Sequence, residues 1–190
     1  MANALVARHH ITIRPLDMKN FNADVELIRK LYNEGWEANW GNVPMSDAEF
    51  THMAKQLKPV AVPDIVLFAY VRGELAGFAL ALPDLNIALK HMNGRLLPIG
   101  WALGLWYGRS IDRARVLTLG VLPKFRRTGA TDLLYLTLIK NGRAKGFRHA
   151  ESSWILEDNT LMRAAIERVG GKSYKTYRLF DKPIGTGNTH

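Results

Sequence analysis

A basic loop and a helical pattern follow an apolar run in the second half of the chain. Pro123 ends the run over residues 115–122, and the pattern after the loop predicts a helix over residues 129–145. The loop contains Arg126, Arg127, Thr128 and Gly129. A helix N-terminus presents unpaired backbone N–H groups and partial positive charge, and a glycine lets the backbone approach a ligand closely. The segment predicts a pyrophosphate site, although it lacks the Gly and Lys spacing of a P-loop.

Positive charge is concentrated around this loop. The chain has 26 Lys and Arg residues against 17 Asp and Glu residues, a formal net charge of +9. Residues 113–148 hold nine of the basic residues and a single acidic one, Asp132. A local positive field attracts an anion, which leaves nucleic acid, an acidic membrane surface and a phosphorylated small molecule open as partners. A solvated basic helix face is the structural alternative.

Hydrophobic patterning predicts the elements that must position the loop. Strands are predicted at residues 11–14, 64–71, 74–82, 115–122, 147–155 and 172–182, and helices at 21–40, 46–58, 129–145 and 158–169. Ser46 and Glu49 form a capping box, and Arg72-Gly73 is a hairpin turn. This order indicates an α/β (α+β) fold, a single domain over residues 10–183 with a mixed sheet flanked by helices. Flexible tails are expected at residues 1–9 and 184–190.

The composition narrows the class of protein. The chain has 190 residues, 47% of them hydrophobic and 23% charged, as in ordinary globular domains. It contains no cysteine, which excludes disulfide scaffolds, zinc–thiolate sites, iron–sulfur clusters and thiol nucleophiles. The N-terminus lacks the apolar core of a secretory signal, and no apolar run reaches the ~20 residues that span a bilayer. We therefore expect a cytoplasmic protein.

Three motifs occur in an order that resembles a known family. Residues 126–131 can be compared with the six-residue pattern Arg/Gln-x-x-Gly-x-Gly/Ala, in which x is any residue. Arg126 and Gly129 match this pattern, whereas Thr131 occupies the last position, where the pattern has Gly or Ala. Asn159 and Gly170 lie at the start and the end of the next predicted helix, and residues 75–78 belong to the third predicted strand. These motifs resemble the coenzyme A loop and its neighbours in the GNAT superfamily of acetyl-CoA-dependent N-acetyltransferases.

The resemblance implies a fold and a cofactor. The expected sheet is mixed and mostly antiparallel, with about six to seven strands, a splayed fourth and fifth strand, and a helical insertion over residues 84–113 before the fourth. The expected donor is acetyl-CoA or a longer acyl-CoA, and no metal is required. The implied cofactor-binding residues are Leu119 and Val121 for pantetheine, Arg126, Arg127, Thr128, Gly129, Ala130 and Thr131 for the pyrophosphate, and Asn159 for the cofactor arm.

The catalytic positions depart from the family pattern. Many members place an acidic base on the fifth strand and a tyrosine acid seven residues after the Asn. This chain has Trp154 and Ile166 there, and neither transfers a proton. The remaining candidates are Glu151 and Glu157 at the fifth strand and Tyr174 and Tyr177 on the last strand; of these we predict Glu151 and Tyr174 to be catalytic. A surface carboxylate and a strand aromatic are their structural alternatives.

Apolar and aromatic segments predict where the acceptor binds. Residues 96–108, inside the insertion, contain no charged residue. Three roles stay open for this segment: a helix packed over the sheet, a lid over a hydrophobic substrate or acyl chain, and a membrane-interface or subunit contact. The candidate substrate-binding residues are Trp36, Trp40, Trp101 and Trp154, with a role in the core as the alternative.

The expected function is acyl-CoA-dependent N-acyl transfer of an acetyl or longer acyl group to the amine of a hydrophobic or amphipathic acceptor. A catalytically silent CoA-binding module is the alternative that Trp154 and Ile166 favour. Nucleic-acid binding is disfavoured, because the basic segment lacks a recognition helix rich in Arg, Asn or Gln. A small-molecule or lipid-like amine is the expected partner, and peripheral membrane contact and a homodimer stay open.

Overall fold

The computed structural model describes residues 9–36, 46–92, 110–178 and 180. These residues belong to two compact units that divide between Ser153 and Trp154, and each unit is described by itself. The first unit contains the sheet and the basic loop, and the second contains the helix that follows Asn159.

The described part of the first unit is a five-stranded sheet with helices packed on it. Its elements in chain order are β1 (Ile11–Pro15), α1 (Phe21–Trp36), α2 (Asp47–Leu57), β2 (Val66–Val71), β3 (Glu74–Pro83), α3 (Asn86–Met92), β4 (Arg113–Val121), α4 (Ala130–Ala144) and β5 (His149–Ser152). The strand order follows the chain, and every neighbouring pair is antiparallel except β4 and β5. The predicted fold class, a mixed and mostly antiparallel sheet flanked by helices, is confirmed.

Local sequence signals determine the first half of this unit. Arg72 and Gly73 have φ angles of 52° and 80°, the left-handed conformation that a two-residue turn between antiparallel strands requires, so the predicted hairpin forms. The Ser46 hydroxyl accepts a hydrogen bond from the Glu49 N–H, and the Glu49 carboxylate accepts one from the Ser46 N–H, so the predicted capping box forms. Pro63 starts a short 3₁₀ turn, and β2 therefore begins two residues later than predicted.

The sheet has two covered faces. Phe68 and Phe78 are fully buried in a cluster with apolar residues of α1 and α2. α4 packs against β2 and β3 and buries Leu134 and Leu138, which confirms the expectation that this apolar helix lies on the sheet. The position of the loop before α4 is therefore fixed by the core.

A partly buried ion pair fixes α1 against β1. The Arg14 guanidinium donates hydrogen bonds of 2.7 and 2.8 Å to the Asp24 carboxylate, which is 3% exposed. That carboxylate also accepts a bond of 2.8 Å from the Asp17 N–H, and the guanidinium lies 4.4 Å from the centre of the Phe68 ring. Hydrogen bonding to Asp24 raises the pKa of Arg14, so the cation is held in its charged form.

The second unit contains α5 (Thr160–Arg168). The predicted last strand over residues 172–182 is wrong for the part that the structure describes, because residues 172–178 have no regular secondary structure. Tyrosines that alternate with polar residues favour a strand, but a strand also needs a backbone partner and a packed face. Residues 172–178 form no strand ladder among the described residues, and the side chains of Tyr174 and Tyr177 are 63% and 66% exposed.

The fifth strand is shorter than predicted. β5 covers His149–Ser152 rather than residues 147–155, and its parallel pairing with β4 runs only from Arg113 to Val116. The described residues therefore form five strands rather than the expected six to seven. The pairing ends at Val116 and Ser152, although β4 itself continues to Val121.

The predicted insertion over residues 84–113 is described only in part. α3 begins after Asp84, whose carboxylate accepts hydrogen bonds from the Asn86 backbone and side chain at 3.3 and 2.9 Å. Residues 93–109, which include the uncharged run, lie outside the described residues, as do most of the two predicted tails. No helix in the described ranges is long and apolar enough to cross a membrane.

Candidate functional site

The loop between β4 and α4 has a defined backbone conformation. Thr128 donates from its N–H and its hydroxyl to the Phe125 carbonyl, at 3.1 and 2.7 Å. Gly129 follows with a φ of 91°, a left-handed conformation that side chains other than glycine rarely adopt. The chain turns there, and α4 begins at Ala130.

The start of α4 presents free donors at the protein surface. The N–H groups of Gly129 and Thr131 have no hydrogen-bond partner among the described residues, and the Ala130 N–H makes only a long contact of 3.4 Å with the Thr128 hydroxyl. The side chains of Arg126 and Arg127 are exposed in the same loop. Unpaired donors and positive charge at a helix N-terminus bind phosphate groups. The loop is thus open to the anion that the sequence predicts.

Within the described part of the first unit, β4 has no strand partner on one edge beyond Val116, and this open edge leads to the loop. The Ser153 N–H donates to the Val116 carbonyl at 2.9 Å, and the described pairing with β5 ends there. On the other edge, the Leu122 N–H donates to the Ala76 carbonyl of β3 at 2.8 Å. Backbone groups alternate between the two edges of an antiparallel strand, so those of Leu119 and Val121 face away from β3. Both predicted pantetheine residues therefore lie on the open edge, where the Val121 carbonyl accepts one long hydrogen bond of 3.4 Å from the Arg126 Nε–H.

Two features shape this part of the sheet. Gly77 of β3 lies so close to β4 that a Cβ would overlap the Gly120 carbonyl oxygen, so only glycine fits there. Further along, the register shifts between Leu80 and Ala81 of β3, which makes Leu117 an extra residue on β4. Such a β-bulge bends a strand and ends regular pairing. The bulge lies directly after Val116 and marks where the open edge begins.

The candidate base Glu151 is paired with a cation. Glu151 on β5 lies opposite Arg115 on β4, and its carboxylate accepts a hydrogen bond of 2.9 Å from the guanidinium. The Glu151 side chain is 16% exposed. Arg115 orients the carboxylate and shares its charge, so the pair also links the two parallel strands. The catalytic role of Glu151 stays a prediction.

The other predicted site residues belong to the second unit or lie outside the described side chains. The Asn159 side-chain oxygen accepts a hydrogen bond of 3.2 Å from the Met162 N–H and caps α5. Trp154 is 72% exposed and Tyr174 is 63% exposed. The side chain of Trp36, and all of Trp40 and Trp101, are outside the described parts of the chain. The roles of these residues stay predictions.

Two buried hydroxyl groups, one on β4 and one on α4, have no hydrogen-bond partner among the described residues. They belong to Thr118 and Tyr135. Tyr135 is 5% exposed, and burial together with the charge of Asp132 raises the pKa of Tyr135 to about 12, so its hydroxyl is protonated at neutral pH. Neither group was predicted from the sequence; the available signal for Tyr135 is one tyrosine in an otherwise aliphatic stretch, Leu133 to Leu136.

Comparisons with known proteins identify relatives of the chain. Residues 25–171 match the acetyltransferase (GNAT) family. The chain is 36% identical over 180 residues to a bacterial ceramide synthase of Caulobacter vibrioides (strain NA1000 / CB15N), a match that covers 92% of this chain and 47% of that protein. It is 36% identical over 183 residues to Protein YghO of Escherichia coli (strain K12), with coverage of 93% and 47%. The chain spans about half the length of these curated relatives.

Solved structures show the same fold. Aminoglycoside N-acetyltransferase AAC(6')-Iy in complex with CoA superposes with a TM-score of 0.58 at 20% identity, over 92% of this chain and 95% of that one. The family match confirms the resemblance to the GNAT family that was drawn from the loop, Asn159 and the hairpin, and the solved structure confirms the fold. The chain belongs to the acetyltransferase (GNAT) family.

Proposed function

We propose that this chain is the catalytic domain of a CoA-dependent N-acyltransferase, which transfers an acetyl or longer acyl group directly to the amine of a hydrophobic or amphipathic acceptor. The observation that carries the proposal is the open β4 edge at Leu119 and Val121, which leads to the unpaired α4 N-terminus at Gly129. An extended arm fits the edge as an added strand, and its diphosphate fits the helix terminus. Family membership and the CoA complex of AAC(6')-Iy support this donor.

The residues of the loop divide into two roles toward the donor. The N–H groups of Gly129 and Thr131 donate to the phosphate oxygens, and Arg126 and Arg127 supply charge. Thr128 shapes the turn instead, because its hydroxyl is already bonded to the Phe125 carbonyl. The remaining loop residue, Ala130, is fully buried and anchors the start of α4. The contact of Asn159 with the cofactor arm is proposed from the family pattern.

The transfer step forms a C–N bond and breaks the thioester C–S bond. The neutral amine attacks the carbonyl carbon, its proton passes to a base, and the departing CoA thiolate takes up a proton. Glu151 is the proposed base, oriented by Arg115 at 2.9 Å, and Tyr174 is the proposed proton donor. Positioning of the thioester along β4 supplies a large part of the acceleration.

Two observations support a hydrophobic or amphipathic acceptor. The run over residues 96–108 has no charged residue, and we propose that it binds the acceptor together with Trp36, Trp40 and Trp154. The Caulobacter relative is named a bacterial ceramide synthase, and a ceramide is a lipid amide. Each methylene buried on binding contributes about 0.8 kcal/mol, or about a fourfold gain in affinity. A lipid-like amine would therefore be selected by its chain.

Release of free thiol from acyl-CoA in the presence of an amine panel tests this function. The panel pairs acetyl-CoA and longer acyl-CoAs with alkylamines of increasing length and with small polar amines. We expect release that requires an amine, with kcat/KM rising about fourfold per added methylene until the site is filled. Absence of amine-dependent release with every pair would contradict the proposal.

A catalytically silent CoA-binding module is the second candidate. It is favoured by Trp154 and Ile166, which occupy the positions of the family's base and acid. This candidate predicts heat in calorimetric titration with CoA together with no thiol release from any pair. The two measurements separate the candidates, because an enzyme gives both signals and a protein that binds no CoA gives neither.

A further inference from the structure

Leu117 is an apolar side chain at the surface of the candidate site. It is the extra residue of the β-bulge on β4 and is 39% exposed, whereas Val116 and Leu119 on the same strand are buried. A single exposed leucine is ordinary on a protein surface, so its significance depends on where it lies. Leu117 lies at the open edge that the proposed function assigns to the donor, where an apolar side chain can be buried by an apolar part of the ligand.

The open edge of β4 ends beside Leu117. The Val116 carbonyl accepts a hydrogen bond of 2.9 Å from the Ser153 N–H, and residues 113–116 pair with β5. A donor arm that enters the edge beside the loop at Val121 therefore has four residues of strand, about 13 Å, before β5 occupies the edge. The arm of CoA has about twelve chain bonds between its phosphate oxygen and its sulfur, as many as four extended residues. The acyl group must then leave the edge next to Leu117.

The register of β3 and β4 fixes the face of the sheet on which Leu117 lies. Thr118 pairs with Leu80, whose side chain packs against the α1 and α2 cluster. Val116 pairs with Ala81, the next residue of β3, and so lies on the opposite face. Leu117 follows Val116 and returns to the Leu80 face, so the two residues that oppose one residue of β3 in the bulge share that face.

The proposed base lies on this face as well. Glu151 of β5 pairs with Arg115 of β4, and Arg115 pairs with Leu82, two residues after Leu80 on β3. Residues two apart on a strand share a face, and so do directly paired residues of neighbouring strands. Leu117 and the Arg115–Glu151 pair therefore lie on the same side of the sheet, where the edge ends.

We infer that Leu117 packs against the acyl group of the donor where that group leaves the β4 edge, and that the protein prefers an acyl group longer than acetyl. This inference rests on the proposed function, since it requires that acyl-CoA bind along β4. An acetyl group offers Leu117 only one methyl group, whereas each further methylene that leaves water strengthens binding about fourfold. Leu117 transfers no proton and acts on specificity alone.

Leu117→Ala tests this contact by shortening the side chain. Thiol release is measured with one alkylamine acceptor and with acetyl-, butyryl-, hexanoyl- and octanoyl-CoA as donors. We expect kcat/KM for the longer donors to fall about four- to sixteenfold, as for one or two methylenes returned to water, and kcat/KM for acetyl-CoA to change by less than about twofold. Leu117→Gln keeps the length of the side chain and makes it polar, so the same selective loss is expected.

Leu136→Ala is the matched control. Leu136 is 46% exposed and lies on α4, away from the β4 edge, on the opposite side of the helix from the buried Leu134 and Leu138. This variant loses the same atoms from a leucine of similar exposure, and we expect it to keep the wild-type kcat/KM with every donor. An equal loss with the longer donors in Leu136→Ala would overturn the assignment to Leu117.

The other outcomes separate this inference from the proposed function. If the wild type prefers acetyl-CoA, or if the two Leu117 variants lose activity equally with all donors or with none, the inference is wrong and the proposed function stands. If the wild type shows no amine-dependent release with any donor, both the proposed function and the inference fail.

Discussion

Replacing Gly129 with alanine alters one backbone position at the start of α4. At a φ of 91°, a side chain costs about 1–2 kcal/mol, because Cβ crowds the following carbonyl. In a chain of this size, that cost lowers Tm by roughly 2–8 °C. A turn that relaxes to avoid the strain moves the Gly129 and Thr131 N–H groups, and one lost hydrogen bond to a charged phosphate weakens CoA binding about tenfold or more.

Differential scanning calorimetry and isothermal titration with CoA measure the two effects. Gly142→Ala, in the last turn of α4, is the matched control. A Cβ at position 142 would lie 4.0 Å from Ile65 Cγ2, an ordinary van der Waals contact. This control should gain about 0.5–1 kcal/mol from the better helix former and keep its CoA affinity. The reasoning would be refuted by a Gly129→Ala protein with wild-type Tm and affinity, or by equal losses in both variants.

Three further substitutions test other parts of the account. Asp24→Asn leaves the Arg14 guanidinium without its carboxylate. Urea denaturation should show that the free energy of unfolding falls by about 2 kcal/mol, a moderate loss because the arginine is partly exposed. An unchanged free energy of unfolding would contradict the role of this pair. Gly77→Ala forces β3 away from Gly120 and should lower both Tm and CoA affinity. Gly35→Ala is the control and should raise Tm, because a Cβ at that position meets open space. Similar effects from both variants would be inconsistent with the tight contact between β3 and β4. Glu151→Gln should lower kcat by about 10² or more at unchanged donor affinity, and an unchanged kcat would show that Glu151 is not the base.

Elements with a local cause were predictable from the sequence. The hairpin depends on the turn residues Arg72 and Gly73, and the start of α2 depends on Ser46 and Glu49. The helix after the basic loop starts within one residue of its prediction, because Gly129 supplies the backbone conformation that the turn requires. In each case the residues that determine the structure lie within a few positions of one another.

Elements that depend on distant partners were not predictable. The segment after Gly171 has strand-like alternation, but no pattern along the chain shows whether a neighbouring strand is available to it. The Arg14–Asp24 pair and the burial of Tyr135 follow from packing between separate elements. Periodicity shows that these residues lie in a strand or a helix and does not show what they contact.

The candidate site divides in the same way. The loop over residues 126–131 carries its own signal, and the family resemblance added the β4 positions Leu119 and Val121. The β-bulge at Leu117, which directly follows the last residue of β4 paired with β5, depends on the register of β3 and has no signal in the sequence. The pairing of Glu151 with Arg115 likewise depends on the parallel register of two strands that are separated by α4.

Titration of isotopically labelled protein with CoA, followed by amide chemical shifts, tests most directly whether the start of α4 holds the diphosphate. We expect the largest shifts at the Gly129 and Thr131 amides, moved downfield as their N–H groups bond to phosphate, with smaller shifts at Leu119 and Val121. Saturable CoA binding that leaves the Gly129 and Thr131 amides unmoved would contradict the account.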